Sequence, residues 1–129
     1  MIEYHFDGSG TGYAFAVVED NSSVYYENAR SSPEATVNEN EYSGLLLCLD
    51  YIIKNPLLMK NRDILIWGDS QLVINQVNCI WKAKNDRMKK LRNDAFTKIG
   101  QIRGECNSFQ IKWFEGKKNL ADTPSRMFQ

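Results

Sequence analysis

Four acids carry the chemistry this chain can do: Asp7, Glu41, Asp69 and Asp122. Carboxylates are hard oxygen ligands suited to Mg2+ or Mn2+. Two such ions held about 3.5–4 Å apart can clamp the attacking and leaving oxygens of a phosphodiester. Four anions gathered without a cation would repel one another, so their convergence would call for metal. The single histidine, His5, and the scattered Cys48, Cys79 and Cys106 offer neither a zinc site nor a disulfide framework. Taken singly, each acid has a plain structural role: Asp7 forms a turn before glycine, Glu41 is a solvated helix residue, Asp69 an N-cap and Asp122 a turn acid. Only their joint placement points to a metal site.

That placement depends on the elements around them. Residues 2–6 alternate loosely and lead into Asp7-Gly8-Ser9-Gly10-Thr11-Gly12, a first strand and a Gly-rich turn. Tyr13 to Val18 and Val24 to Ala29 read as two further strands of an antiparallel meander. Thr36-Val37-Asn38-Glu39 has the form of a capping box, and Leu45, Cys48, Leu49, Ile52 and Ile53 recur at helical spacing until Asn55-Pro56. Glu41 then lies one turn above Leu45. Ile64 to Trp67 is a buried strand running up to Asp69, and Asp69-Ser70 caps a helix through Leu72, Val73, Gln76 and Val77. Arg87 to Ile102 reads as another helix, and Phe109, Ile111 and Trp113 as a fifth strand. Beyond Asp122 the seven residues Thr123 to Gln129 are too few for a long helix. Pro124 therefore belongs in a first turn, on a segment expected to fray.

The helix after the meander must carry the chain to a strand parallel to the first, and right-handed crossover places that strand beside strand one, away from strand two. The expectation is an α/β fold: one domain over residues 1–129, with a five-stranded mixed sheet in the order 3-2-1-4-5. Its first three strands are antiparallel and helices cover its faces. Asp7 and Asp69 become neighbours.

At 129 residues, 43% hydrophobic and 25% charged, the composition is that of an ordinary globular protein. No apolar run approaches a membrane span, and Met1-Ile2-Glu3 does not open a secretory signal. A monomeric cytoplasmic protein with reduced thiols is expected. The formal net charge of zero conceals a polarity. Residues 1–50 hold nine acids against Arg30 alone, a balance of −8, while residues 51–129 hold fifteen bases against seven acids, a balance of +8. The densest basic block is Lys82, Lys84, Arg87, Lys89, Lys90 and Arg92. Such a block reads either as a solvated helix face or as a surface that tracks phosphates.

The chain resembles the type 1 ribonuclease H family in four ordered pieces across nearly its whole length. They are Phe6-Asp7-Gly8-Ser9; the run from Thr36 to Tyr42 with Leu45-Leu46; the run from Asp69 to Asn78 with Trp81-Lys82; and Asn119-Leu120-Ala121-Asp122. The resemblance implies a ribonuclease H-like fold. It also implies an endonuclease that cuts the RNA strand of RNA–DNA hybrids with two Mg2+ ions, Mn2+ being able to substitute, and leaves 5′-phosphate and 3′-hydroxyl ends. By the same resemblance Asp7 would bridge both ions, Glu41 and Asp69 would hold the one nearer the leaving group, and Asp122 would complete the one that activates water. Substrate contacts are implied at Gly8, Ser9, Thr36, Asn38, Gln71, Trp81, Lys82, Lys84, Lys89 and Lys90, with Thr36 on a DNA phosphate and Asn38 on 2′-hydroxyls or base edges.

The chain departs from the family in several places. Val37 stands where asparagine is frequent, and Glu115-Gly116-Lys117-Lys118 stands where many relatives carry a histidine. Glu115 or Lys117 is a candidate to replace it. The ending resembles retrotransposon-type ribonuclease H domains with one residue fewer between Asn119 and Asp122. His5 is expected to pack under the first helix and takes no catalytic role. Two other readings stay open: a hybrid- or nucleic-acid-binding module with a weakened site, and a related metal-dependent exonuclease or resolvase acting on DNA.

Overall fold

The computed structural model describes residues 2–114 and 118–129. Strands β1 (Ile2–Gly8), β2 (Gly12–Glu19) and β3 (Ser22–Arg30) form the antiparallel meander. The β2–β3 reversal is made by Asp20 and Asn21, both in the left-handed region with φ of 52° and 66°, which their short polar side chains tolerate. Helices α1 (Val37–Lys54) and α2 (Pro56–Met59) lead to β4 (Asp63–Gly68), and α3 (Gln71–Val77) and α4 (Asp86–Arg103) lead to β5 (Ser108–Trp113). The strand order is β3-β2-β1-β4-β5, with β4 parallel to β1 and β5 parallel to β4. The chain ends in a single turn, α5 (Asp122–Ser125). Pro124 falls in that turn, where its missing N–H costs no helical bond.

Helix α1 begins where the capping box places it. Glu39 N–H donates to Thr36 Oγ1 at 3.1 Å, and Thr36 N–H donates to Glu39 Oε1 at 2.8 Å. The helix lays Tyr42, Leu45, Leu49 and Ile52 on Tyr4, Phe6, Phe15 and Val17, while Ala95, Ile99 and Ile102 of α4 complete the same core with Ile64, Ile66 and Ile111. All of these are buried. No helix among the described residues is long and apolar enough to cross a membrane. The three cysteines are free.

The opposite face of the sheet is covered differently. His5 and Asp7 of β1 are paired with Ala16 and Ala14 of β2. There a second, smaller core of Ala14, Ala16, Val18 and Ala121 packs with Leu120. His5 therefore does not lie under α1; Tyr4 and Phe6 fill that place. It accepts a hydrogen bond at Nδ1 from Leu120 N–H at 3.1 Å and meets the Phe114 ring edge-on at 5.2 Å. Small alanines leave room for a few residues of tail, and side-chain contacts anchor it there. Ser9 Oγ donates to the Ser125 carbonyl at 2.8 Å, Asn28 Nδ2 to the Pro124 carbonyl at 2.9 Å, and Arg30 lies over the Phe128 ring.

Gly44 sets how closely α1 can lie on the sheet. A Cβ there would stand 2.5 Å from the Asp7 carbonyl oxygen and 2.9 Å from that of Ala14, whereas a Cβ on Gly100 of α4 meets nothing within 4 Å. Gly44→Ala should therefore destabilise the fold by about 1–3 kcal/mol through overpacking. Gly100→Ala should stabilise it by up to about 1 kcal/mol through helix propensity. Urea unfolding of the two variants checks the pair of opposite signs.

Candidate metal centre and adjoining groove

Asp7 lies at the end of β1, Glu41 in the second turn of α1, and Asp69 just after β4. One carboxylate oxygen from each lies within 4.8 Å of the others. Local packing explains the convergence. A Cβ on Gly8 would sit 2.3 Å from the Asn40 carbonyl carbon and the Glu41 nitrogen, so only glycine lets the two backbones approach this closely. Asn40, fully buried, donates from Nδ2 to the Ser9 carbonyl at 2.7 Å and locks the contact. Parallel pairing of β4 with β1 brings Asp69 alongside. Its backbone is tied to β5 by Trp113 Nε1 donating to the Asp69 carbonyl at 3.2 Å.

Asp7 and Glu41 are buried, at 3% and 6% exposure, while Asp69 is exposed. Burial is the largest cause pushing the Asp7 carboxyl above the usual carboxylate range, followed by the charge of Asp69. Glu41 is pushed up more strongly, first by burial and then by Asp7. Glu41 Oε2 is buried without a hydrogen-bond partner among the described residues. A buried, unpaired carboxylate oxygen facing two more carboxylates is costly. The same oxygen set is what a hard divalent cation takes as ligands, so these residues fit the implied metal.

Asp122 opens α5, and its place is set by Asn119. Asn119 Nδ2 donates to the Phe6 carbonyl at 2.9 Å, and its Oδ1 accepts from Ala121 N–H at 2.9 Å, which clamps the turn to β1 one residue before Asp7. The Asp122 carboxylate interacts with Asp7 but is not among the three converging oxygens. Its strongest partner is Arg126, whose Nε donates to Oδ1 at 2.9 Å and holds the carboxyl below its ordinary range.

Two contributors escape a reading of sequence motifs for chemistry. Ser125, fully buried, donates from Oγ to Asp7 Oδ2 at 3.1 Å. Its only signal is its spacing, one helical turn after Asp122. Asn119 belongs to a motif, but its function as a clamp follows from the Phe6 carbonyl, which only the fold brings near.

Beside the carboxylate triad runs a groove of about 960 Å3, walled by the start of α1, by α3 and by the segment from Ile80 to Met88. Thr36, Asn38, Trp81, Lys82 and Lys84 line it. Gln71 is exposed at the first turn of α3, and Lys89 and Lys90 are exposed on α4, all outside its walls. Gly8 and Ser9 are buried, and the Ser9 hydroxyl is consumed by the Gly12 and Ser125 carbonyls and by the Thr11 and Gly12 N–H groups. Tyr42 donates to Gln76 Oε1 at 2.6 Å, and Gln76 Nε2 to the Lys82 carbonyl at 3.4 Å, supporting the groove from below. Arg87 bridges to Glu39 at 2.6 Å, joining α4 to the α1 cap. Glu115 and Lys117 lie outside the described residues.

Sheet order, the carboxylate triad and the groove together define a class of protein. Residues 3–121 match the family described as Reverse transcriptase-like, and the chain belongs to that family. The match ends one residue before Asp122. Over 93 residues the chain is 32% identical to the Bifunctional protein Rv2228c of Mycobacterium tuberculosis, aligned over 71% of this chain and 24% of that one. It thus spans about a quarter of the length of the curated relatives it matches. The solved N-terminal RNase H domain of that mycobacterial protein superposes with a TM-score of 0.74 at 27% identity, covering 95% of this chain and 87% of the other. RNase H1 from Halobacterium salinarum gives 0.77 at 23% identity, over 95% and 92% of the two chains. LC11-RNase H1, solved in complex with an RNA/DNA hybrid, gives 0.75 at 22%, over 96% and 93%. The fold is that of type 1 ribonuclease H.

Asp7 and Glu41 retain protons in the fold at pH values where the unfolded chain has released them. Metal-free stability therefore falls as pH rises from the ordinary carboxylate range through the raised values. In chelator, the urea midpoint should drop between pH 5.5 and pH 8. Glu41→Gln should raise the midpoint at pH 8 and flatten the dependence, and adding Mg2+ to the wild-type protein should do the same. A wild-type midpoint that rises over this interval in chelator would contradict the assignment.

Proposed function

We propose that this chain is a ribonuclease H: a divalent-cation-dependent endonuclease that hydrolyses the RNA strand of RNA–DNA hybrids, leaving 5′-phosphate and 3′-hydroxyl ends. The observation that carries the reading is the triad of Asp7, Glu41 and Asp69, with a buried Glu41 oxygen that lacks a donor among the described residues. Asp7, Glu41, Asp69 and Asp122 would hold two Mg2+ ions, or Mn2+ in their place. When bound, such ions lower the pKa of water, polarise the phosphoryl oxygens and neutralise developing charge.

The chain's own residues do the rest. Ser125 orients Asp7 through its hydroxyl, and Asn119 fixes the turn that presents Asp122. Asn38 and Thr36, which line the groove at the head of α1, would meet a minor groove and a phosphate. Exposed Trp81 offers a flat apolar surface to sugar or base, and Lys82 and Lys84 attract phosphates. Lys89, Lys90 and Gln71 extend this surface beyond the groove. Gly8 and Ser9 serve from beneath, by bringing α1 onto β1. Reading 2′-hydroxyls across the minor groove is how a protein separates an RNA strand from DNA. The RNA/DNA hybrid held by LC11-RNase H1 supports that choice of substrate.

One observation favours a second reading, a hybrid-binding module with a weakened site: the Asp122 carboxylate meets Asp7 but is also paired with Arg126 and is not among the three converging oxygens. Asp7→Asn separates the two. In a nuclease, loss of a metal ligand should exceed the ~10–100-fold effect of outer-shell residues and reduce hybrid cleavage at least about a hundredfold, with hybrid affinity changed less than about threefold. A wild-type protein that binds hybrid and leaves it intact with Mg2+ or Mn2+ would establish the binding module.

A further inference from the structure

The end of α5 and the residue after it bring two donors to the acidic cluster. Ser125 gives a neutral hydroxyl to Asp7 at 3.1 Å, and Arg126 gives a guanidinium to Asp122 at 2.9 Å. The triad oxygens lie within 4.8 Å of one another, and Asp122 stands outside that set, its carboxylate meeting Asp7 and paired with Arg126. The charges of Asp7 and Asp69 also act on Arg126, so its positive charge is felt across the centre.

The two side chains of the pair are 53% and 48% exposed. An ion pair between solvated groups is weak, and its partners exchange readily. A weakly held internal cation beside a carboxylate site acts as a competitor in two ways. It takes the oxygen that an arriving cation needs, and its charge repels that cation. The triad, by contrast, holds a buried Glu41 oxygen to which nothing among the described residues donates.

Resting on the cation-dependent reading above, the geometry points to Arg126 as a positioning residue that grades the two cation sites. The triad, none of whose carboxylates is paired with a cation among the described residues, forms the tighter site. Asp122 joins a second, weaker site only by giving up Arg126. The guanidinium thus supplies the fourth carboxylate's counter-charge when divalent cation is scarce and yields when it is plentiful. Arg126 acts through Asp122 and needs no contact with nucleic acid.

Calorimetric titration of the full chain with Mg2+, without nucleic acid, tests this directly. The wild-type protein should show a tighter and a weaker binding event. Arg126→Gln should tighten the weaker event by about two- to fivefold, the range set by losing an exposed ion pair, with the urea midpoint in chelator nearly unchanged. Arg126→Lys, which keeps the charge, should stay close to wild type, and Asp122→Asn should abolish the weaker event. An unchanged or weakened second event in Arg126→Gln, or equal behaviour of the Gln and Lys variants, would overturn the role of Arg126 while leaving the nuclease reading intact. Absence of any Mg2+ binding to the wild-type protein would overturn both.

Discussion

Helix α1 lies directly on the backbone of β1 and β2, and the acidic cluster depends on that contact. Gly8 and Gly44 mark two points where a single added carbon would strike main-chain atoms of the facing element at 2.3–2.9 Å. The approach puts Glu41 beside Asp7, and the buried Asn40 bond to Ser9 prevents it from slipping. Everything else about the site follows from where these two backbones meet. β4 adds Asp69 by pairing with β1, and the tail adds Asp122 and Ser125 by docking on the reverse face.

That closeness has an electrostatic cost. Two buried carboxyls and one exposed carboxylate share a few ångströms, and both buried groups are driven toward their protonated forms. Folding therefore works against the charge arrangement that cation binding would reward, a frequent compromise at functional sites. The basic half of the chain reduces the conflict only indirectly. Its lysines line the neighbouring groove, and Arg87 is spent on Glu39. Arg126 is the one described cation paired to a member of the acidic cluster.

Much of this was legible in the residues. Thr36 and Glu39 mark the start of α1, Pro56 marks its end, and the need to cross from a meander to a parallel strand places β4 beside β1. Three of the four acids meet where those elements dictate. The side on which His5 packs was harder to read. Period-two alternation says that His5 and Asp7 share a face, but not which elements cover it. The clue lay in β2, where Phe15 and Val17 alternate with Ala14 and Ala16. The bulky face takes the long helix, and the small one takes a tail of few atoms. The tail's docking was illegible for a related reason. Its anchors are backbone carbonyls of Phe6, Pro124 and Ser125, and side-chain patterns carry no record of carbonyls.

The central claim is that this centre cuts RNA only when it is paired with DNA. The most direct measurement is product analysis with Mg2+ on four end-labelled substrates of one sequence: RNA–DNA hybrid, double-stranded RNA, double-stranded DNA, and a DNA duplex holding one ribonucleotide. Cleavage of the hybrid's RNA strand to fragments with 5′-phosphate ends, with both uniform duplexes intact, is the predicted result. The single-ribonucleotide duplex shows how many 2′-hydroxyls recognition needs. Cutting of the DNA duplex at a rate equal to the hybrid, or an intact hybrid under conditions where it is bound, would contradict the account.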